Sequence, residues 1–170
     1  MPPLLLHGDR VTLRPLGESD LPRLLGILLE PGVSEWWPDY TLSRLRADTL
    51  ESAGVTSLVI ELDGETIGLV MLTEETDPHY ESAGIDIAID AMHLDRGRGT
   101  DALRMLAGHL FDVRGHHRLT IDPAVANHRA IAAYGKVGFS SVGIMREYEL
   151  GPDHTWHDNL LMDMLPNDLR

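Results

Sequence analysis

Two glycines stand in a short basic segment that directly precedes a stretch with helical periodicity. The segment is Leu94-Asp-Arg-Gly97-Arg-Gly99-Thr100. Glycine lets the backbone turn so that several N–H groups point the same way, and the start of the following helix adds the positive end of its dipole. We therefore expect this loop to bind a diphosphate, with Arg96 and Arg98 adding positive charge. Alone the pattern is weak, because glycine turns before helices are common and the third glycine of the dinucleotide fingerprint is absent.

Four polar residues, one before this loop and three after it, are candidates for acid–base or binding chemistry. Asp86 interrupts a predicted strand, and strands usually avoid aspartate. Asp122 precedes a proline at a strand end, where an Asp-Pro turn is the ordinary explanation. Asn127 suits the N-cap of the next helix. Tyr134 lies on the apolar face of that helix, where core packing and a chemical role are both open.

An aromatic loop and an acidic loop are candidates for substrate binding. Trp36 and Trp37 are adjacent, so we expect their side chains to point apart, with one lining a pocket and the other partly in the core. Glu75 and Asp77 fit a solvated acidic loop and a substrate-binding site equally well. The nine histidines include no helical His-x-x-x-His pair with a carboxylate, so no metal site is predicted.

Length and composition indicate one ordinary domain over residues 1–170. Hydrophobic residues make up 43% of the chain, which is enough for a core. The absence of cysteine excludes a disulfide scaffold, a thiolate metal site and a cysteine nucleophile. No run of about 18 apolar residues predicts a membrane span. Residues 1–8 lack the basic start of a signal peptide, so we expect a cytoplasmic protein.

The chain is strongly acidic, with a formal net charge of −13. This charge argues against nucleic acid as a partner, because nucleic-acid binding rests on neutralising phosphates. It equally disfavours anionic membranes. The long-range field instead favours a cationic small-molecule substrate, although solubility alone also explains such a charge.

Periodicity predicts an α/β (α+β) domain in which helices alternate with strands. The predicted order is β-α-α-β-β-β-α-β-α-β-β. The strands cover residues 11–15, 56–62, 66–72, 83–91, 117–121, 139–149 and 155–164, and the helices start near 18–20, 41–43, 99 and 127. In strand 83–91 the isoleucines share one face and Asp86 lies on the other. Helices interleaved among strands indicate layers around a mixed sheet.

The glycine loop and a second segment together resemble the GCN5-related N-acetyltransferases (GNAT). The second segment reads Asn127…Ala130-Ile131…Tyr134…Lys136-x-Gly138-Phe139. The family's loop reads Gln/Arg-x-x-Gly-x-Gly/Ala, which Gly97 and Gly99 match, whereas Leu94 stands where Gln or Arg is usual. The resemblance covers about residues 85–139. It implies a mostly antiparallel mixed sheet flanked by helices, acetyl-CoA as acyl donor, and donor binding by Leu94, Arg96, Gly97, Arg98, Gly99, Thr100 and Asn127.

A closer likeness is to the aminoglycoside 6′-N-acetyltransferases. It rests on Glu35-Trp36-Trp37, Glu75-Thr-Asp77-Pro78, Gly84-Ile-Asp86, the glycine loop and Asp122-Pro123…Asn127. This resemblance implies that Asp86 and Asp122 bind the cationic drug near its reacting amine, and that the Trp-Trp loop helps to form the drug site. It makes Glu75 and Asp77 further candidates for binding the drug.

The implied reaction is direct acetyl transfer in a ternary complex, since no cysteine is present to carry the acyl group. The substrate ammonium must lose a proton, which Asp86 or Asp122 could accept. A nearby carboxylate also stabilises the ammonium and so favours its capture. We expect a backbone N–H near Ile87 or Ala88 to bind the thioester oxygen. By family position, Tyr134 is the candidate that protonates the CoA thiolate.

Two other classes of function remain open. One is an enzyme that acylates a different amine, either a hydroxylysine in siderophore synthesis or a peptide N-terminus. The other is a non-catalytic acyl-CoA-binding module on the same fold. The resemblance also implies a possible homodimer, formed through the closing strands.

Overall fold

The structure, a computed structural model, describes residues 3–170. The single domain predicted over 1–170 includes Met1 and Pro2, which lie outside the described residues. The strands are β1 (Leu6–His7), β2 (Thr12–Pro15), β3 (Val55–Leu62), β4 (Glu65–Glu75), β5 (Ser82–Ile89), β6 (Leu119–Ile121), β7 (Ser140–Leu150) and β8 (Trp156–Met164). The α-helices are α1 (Leu21–Leu28), α2 (Leu42–Arg46), α3 (Arg98–Asp112) and α4 (His128–Val137). Between residues 3 and 170, none of the helices has the length and apolar character needed to cross a bilayer.

The strands form one sheet in the order β1-β2-β3-β4-β5-β6-β8-β7. Its neighbouring strands are antiparallel except for β5 and β6, which run parallel. The predicted mixed, mostly antiparallel sheet flanked by helices is therefore confirmed. The predicted strand at 11–15 corresponds to β2, and the short β1 beside it was not predicted.

Helices cover both faces of the sheet. Leu21, Leu24 and Leu28 recur at helical spacing on α1 and pack in the core on one face, together with Val59 of β3. Leu58, the preceding residue of β3, packs in the second core, which holds the buried face of α3. This alternation along β3 is the period-two pattern of a strand that is buried on both sides.

Two strands part in the middle of the sheet. β5 pairs with β6 only at Ala83↔Leu119 and Gly84↔Thr120, and β6 ends at Ile121. Beyond these pairs the edge of β5 that faces β6 has no strand partner among the described residues. The divergence opens a gap at the centre of the molecule, between the two halves of the sheet.

Several predicted boundaries differ from the structure; the strand predicted over 117–121, for example, covers only Leu119–Ile121. The strand predicted over 83–91 ends at Ile89, because the Asp90 carboxylate accepts a hydrogen bond from the Met92 backbone N–H at 2.8 Å and starts a 3-10 turn. The helix predicted to start near 41–43 is α-helical only over Leu42–Arg46 and continues as a π turn over Ala47–Glu51.

Candidate active site

Two clefts meet at the gap beside β5. The larger, of about 1180 Å³, we call the acidic cleft; the smaller, of about 680 Å³, we call the loop cleft because the glycine loop lines it. The residues that line both are Glu35, Trp36, Trp37, Ile87, Ala126, Asn127, His128 and Tyr134. Molecules bound in the two clefts would therefore both contact this shared wall.

The loop cleft collects five of the residues predicted to bind the acyl donor. These are Leu94, Gly97, Gly99, Thr100 and Asn127. Gly97 has a φ of 73°, a left-handed conformation that strongly favours glycine, and it caps the start of α3. A Cβ on Gly99 would stand 2.9 Å from Cδ1 of Ile89, so the loop packs closely on β5. The loop therefore places the N-terminal backbone N–H groups of α3 at the cleft.

Asn127 has the structural role that its position before α4 predicts. Its Oδ1 accepts a hydrogen bond from the Ala130 backbone N–H at 3.2 Å and caps the helix. The residue also lines both clefts. Capping and ligand contact are compatible here, because the cap fixes the side chain at the shared wall.

The structure does not bring the two predicted loop arginines into the loop cleft. The Arg96 carbonyl accepts a hydrogen bond from Arg10 at 3.3 Å. The Nη1 atom of Arg98 is buried and has no hydrogen-bond partner among the described residues. The arginine and lysine that line this cleft are instead Arg129 and Lys136 of α4, and Arg129 pairs with Asp95 at 3.5 Å.

Strand register turns the backbone of Ile87 toward the gap. The Ala83 N–H donates to the Arg118 carbonyl on the β6 side, whereas the Asp90 N–H donates to the Ile67 carbonyl of β4. Because these directions alternate along an antiparallel pair, the N–H of Ile87 faces the gap and that of Ala88 faces β4. Of the two donors predicted for the thioester oxygen, Ile87 has the suitable orientation.

Asp86 and Asp122 both line the acidic cleft. The Asp86 side chain is open to the cleft, and the protein withdraws it from bulk water on its other sides. This burial, and then the charges of Asp122 and Glu149, raise the pKa of Asp86 to about 6. Burial also raises the pKa of Asp122, while a hydrogen bond from the Tyr148 hydroxyl opposes that rise.

Glu149 is a third carboxylate of the acidic cleft that the sequence analysis missed. Strand β7 carries a bulge between Met145 and Glu149, and Glu147 within it has a φ of 49°. Bulges re-aim side chains and are common beside active sites. Asn159 of β8 holds Glu149 in place by donating from Nδ2 to its Oε2 at 3.1 Å. A bulge cannot be read from strand periodicity, which explains the omission.

Charge is divided between the two clefts. Six carboxylates line the acidic cleft: Glu35, Asp86, Asp122, Glu149, Asp153 and Asp158. Within the described residues, Arg44 is the one arginine or lysine that lines it, and its guanidinium stacks 4.3 Å from the ring centre of Tyr40. The acidic cleft is therefore suited to a molecule with several positive charges. In the loop cleft Arg129 and Lys136 lie beside Glu35 and Asp95, so the backbone N–H groups at the start of α3 are its main feature for an anion.

Tyr134 combines the two roles that its sequence left open. It packs against the α3 core and lies edge-on to Phe139, with ring centres 6.3 Å apart. It also lines both clefts. Burial, and then the charges of Asp86 and Asp122, raise the pKa of Tyr134 above its usual range. The phenol therefore stays protonated at neutral pH and can donate a hydrogen bond at the shared wall.

The tryptophans and the acidic loop are placed differently from one another. Trp36 and Trp37 both line the two clefts, whereas only one was expected to, and Trp37 also packs against the α1 core, as predicted for one of the pair. They lie in a turn-rich segment, where adjacent side chains need not point apart as they do in a strand. Glu75 and Asp77 lie outside both clefts. There Glu75 accepts a hydrogen bond from the Asp77 N–H at 2.9 Å, and Asp77 pairs with His79.

No group of three or more His, Cys, Asp or Glu side chains within residues 3–170 is arranged to hold a metal ion.

Comparison with known proteins finds a family match over most of the chain. A family model described as an acetyltransferase (GNAT) domain matches residues 10–140. Aminoglycoside N(6′)-acetyltransferase type 1 of Klebsiella pneumoniae is 33% identical over 156 residues, which cover 80% of this chain and 77% of that protein. Spermidine N(1)-acetyltransferase of Escherichia coli is 30% identical over 145 residues, which cover 81% of this chain and 77% of that protein.

A solved structure shows the same similarity in three dimensions. The structure of AAC(6′)-Ib in complex with paromomycin and acetyl-CoA superposes with a TM-score of 0.77 at 30% sequence identity. The superposition covers 94% of this chain and 96% of the other.

Proposed function

We propose that this chain, which belongs to the acetyltransferase (GNAT) family, transfers the acetyl group of acetyl-CoA to the 6′-amine of an aminoglycoside antibiotic. The resemblance to the GNAT family is confirmed by the family match. One observation carries the choice of acceptor: a cleft lined by six carboxylates meets the glycine-loop cleft at a shared wall. The acceptor is thus a polycation, brought against the thioester at that wall.

The loop cleft has the features that an acyl-CoA requires. The diphosphate accepts hydrogen bonds from the backbone N–H groups at the start of α3, which follow Gly97. Lys136 supplies positive charge along the same cleft, where Arg129 pairs with Asp95. The parting of β5 and β6 leaves the edge of β5 beyond Gly84 free to bind the acyl-bearing arm, as a further strand would.

Transfer begins with loss of a proton from the substrate ammonium. We assign Asp86 as the acceptor of that proton, directly or through one water, because its pKa of about 6 keeps it ionised and basic at neutral pH. The amine lone pair then attacks the thioester carbon, and a C–N bond forms. Negative charge develops on the carbonyl oxygen, where the Ile87 N–H stabilises it.

Collapse of this intermediate breaks the C–S bond and releases the CoA thiolate, while the new amide nitrogen loses its second proton to solvent. Tyr134 donates a hydrogen bond to the leaving sulfur. Its raised pKa makes complete proton transfer to a thiolate uphill, because thiols titrate near ~8.5. Asp122, Glu149 and the tryptophans hold the acceptor. No cysteine exists to carry the acetyl group, so transfer is direct.

Two facts favour an aminoglycoside over a slender polyamine. The relatives at 33% identity are named for aminoglycosides, and the cleft of about 1180 Å³ exceeds the ~300–1,000 Å³ typical of small-ligand sites. Aromatic rings at Trp36 and Trp37 provide flat surfaces for sugar rings. Spermidine is the second candidate, because a spermidine N(1)-acetyltransferase is 30% identical and the same carboxylates suit its charges.

The proposal is tested by measuring CoA release from acetyl-CoA with a panel of amines. The panel holds kanamycin, tobramycin, an aminoglycoside that lacks the 6′-amine, spermidine, hydroxylysine and a short peptide. We expect turnover with the 6′-amino drugs and none with the drug that lacks that amine. Turnover with spermidine, hydroxylysine or the peptide alone would identify that amine, rather than an aminoglycoside, as the acceptor. CoA binding without turnover on any amine would indicate a non-catalytic acyl-CoA-binding module.

We also propose that the protein is a homodimer that pairs through β7. This strand ends the sheet, so its outer edge has no partner among the described strands. Val142 and Ile144 on it are 53% and 59% exposed. Light scattering during gel filtration tests the assembly: a dimer that Ile144→Arg converts to a monomer supports it, and a monomeric wild type contradicts it.

Cytoplasmic localisation stays a prediction.

A further inference from the structure

Asp101, in the first turns of α3, is held by the N-terminal segment of the chain. Its Oδ1 accepts a hydrogen bond from the Asp9 N–H at 3.2 Å, and its Oδ2 accepts from the N–H groups of Arg10 at 2.8 Å and Val11 at 3.0 Å. The residue is only 7% exposed. Three backbone donors on one buried carboxylate form an anion-binding nest between β1 and β2.

The fit between the two segments is close enough to require glycine. A Cβ on Gly8 would stand 2.5 Å from Oδ2 of Asp101, a distance at which one of the two must move. The Gly8 N–H also donates to the Val11 carbonyl at 2.9 Å, which closes the turn around the carboxylate. The β1–β2 turn thus holds Asp101 through its backbone N–H groups, and the absence of a side chain at Gly8 leaves room for the carboxylate.

The same turn reaches the glycine loop directly. The Arg10 side chain lies over Gly97, with Nε 3.4 Å from the position that a Cβ would take there. Its Nη1 donates to the Arg96 carbonyl at 3.3 Å. The loop is therefore fixed at two points, through Asp101 at the start of α3 and through Arg10 at Gly97.

This arrangement resolves a conflict of charge. A carboxylate beside the N-terminus of α3 would repel the diphosphate that the proposed function places there. The three N–H groups of the β1–β2 turn satisfy that carboxylate, and the turn keeps it out of the residues that line the loop cleft. Asp101 can then anchor the helix without competing for the helix N-terminus.

We propose that Asp101 is a positioning residue for acyl-donor binding, and that the Gly8–Val11 turn is the outer support of the diphosphate loop. This inference rests on the proposed function, because it needs the loop to bind CoA. It assigns a role in the donor site to a segment that begins before residue 10, where the family match starts. Asp101 does not line the acidic cleft, so we expect the acceptor site to be unaffected by its substitution.

The test is isothermal titration of free coenzyme A into Asp101→Asn, wild type and the control Asp112→Asn, with steady-state kinetics on each. The amide introduced by Asp101→Asn would place an NH₂ group against a backbone N–H, so the turn and loop must shift. We expect about tenfold weaker CoA binding and a matching rise in the KM for acetyl-CoA, with the KM of the amine unchanged. The control at Asp112, at the exposed end of the same helix, removes equal charge and should behave as wild type.

A second variant separates positioning from stability. Gly8→Ala keeps the carboxylate but pushes its Cβ toward Oδ2, so it should weaken CoA binding in the same way, while thermal melting verifies that it folds. Unchanged CoA affinity in folded Asp101→Asn or Gly8→Ala overturns the inference, as does an equal rise in both KM values. Failure of wild type to bind CoA would instead overturn the proposed function.

Discussion

Asn159 donates a hydrogen bond from Nδ2 to Oε2 of Glu149 at 3.1 Å, and from the same nitrogen to the Asp122 carbonyl at 2.9 Å. Asn159 is 3% exposed, and its Oδ1 has no hydrogen-bond partner among the described residues. One buried amide on β8 thus ties the bulged strand β7 to the Asp-Pro segment that follows β6. The same amide thus fixes the Glu149 carboxylate and the backbone of Asp122, which positions two acidic residues of the cleft relative to each other.

Glu149→Gln should weaken the binding of multiply charged acceptors without slowing the chemical step. Gln keeps the hydrogen bond from Asn159 and removes one charge that faces the acceptor. We expect the KM for tobramycin or spermidine to rise about tenfold and kcat to change by less than about twofold. The effect should be largest at low salt, where charges are least screened.

The matched control for Glu149 is Glu147→Gln. Glu147 is on the same strand and exposed, and it does not line either cleft. Its backbone N–H, which donates to Asp158 at 2.8 Å, is retained in the variant. Equal changes in the two variants would show a general loss of charge rather than contact between Glu149 and the acceptor.

The pH dependence of the reaction should report Asp86. With a pKa of about 6, its basic form dominates above that pH, so kcat/KM should rise with pH around a midpoint near 6 and then level off. Asp86→Asn should lower kcat/KM about 100-fold at neutral pH and remove this rise. If the rise survives in Asp86→Asn and disappears in Asp122→Asn, the base is Asp122.

Tyr134→Phe tests the phenol while keeping the ring. Its edge-on contact with Phe139 and its packing in the α3 core should remain, so thermal stability should stay close to that of wild type. Loss of a hydrogen bond to the leaving sulfur should lower kcat about tenfold. The effect is modest because a thiolate is a stable leaving group. An unchanged kcat would leave Tyr134 with a packing role alone.

Much of the loop cleft could be predicted from local sequence. Gly97 and Gly99 lie where a loop must turn into α3. The backbone of Gly97 has a left-handed conformation, in which a residue with a side chain would be strained. Asn127 before α4 and the alternation along β5 are equally local, because each depends on a few neighbouring residues. Such features follow from backbone geometry, which short segments largely determine.

The acidic cleft was harder to predict because it depends on irregular backbone. Trp36 and Trp37 share the clefts because their segment is a series of turns rather than a strand. Glu149 reaches the cleft through a bulge, which shifts the register of β7 against β8.

Long-range packing accounts for the rest of what the sequence did not predict. The two residues of β1 are too few for a periodic pattern, and pairing with β2 defines them. Arg129 and Lys136 reach the loop cleft because α4 packs beside the loop, so they line it in place of the expected Arg96 and Arg98.

Asp86→Asn should make the protein more stable at neutral pH while it makes the enzyme slower. The carboxyl has a pKa of about 6 in the folded protein, against about 3.9 in an unfolded chain. Between these values the folded state binds more protons than the unfolded state, so stability falls as pH rises from about 4 to about 6. Well above pH 6 this loss of stability is complete in the wild type, whereas the variant has no charge at this position and does not lose that stability.

We therefore expect the Tm of Asp86→Asn to exceed that of wild type at about pH 7.5, and the two to converge near pH 4. Asp112→Asn, which removes an exposed charge, should leave Tm close to wild type at both pH values. A lower Tm for Asp86→Asn at pH 7.5 would show that the Asp86 carboxylate supports the fold, and would contradict its assignment as a charge kept in the cleft for catalysis.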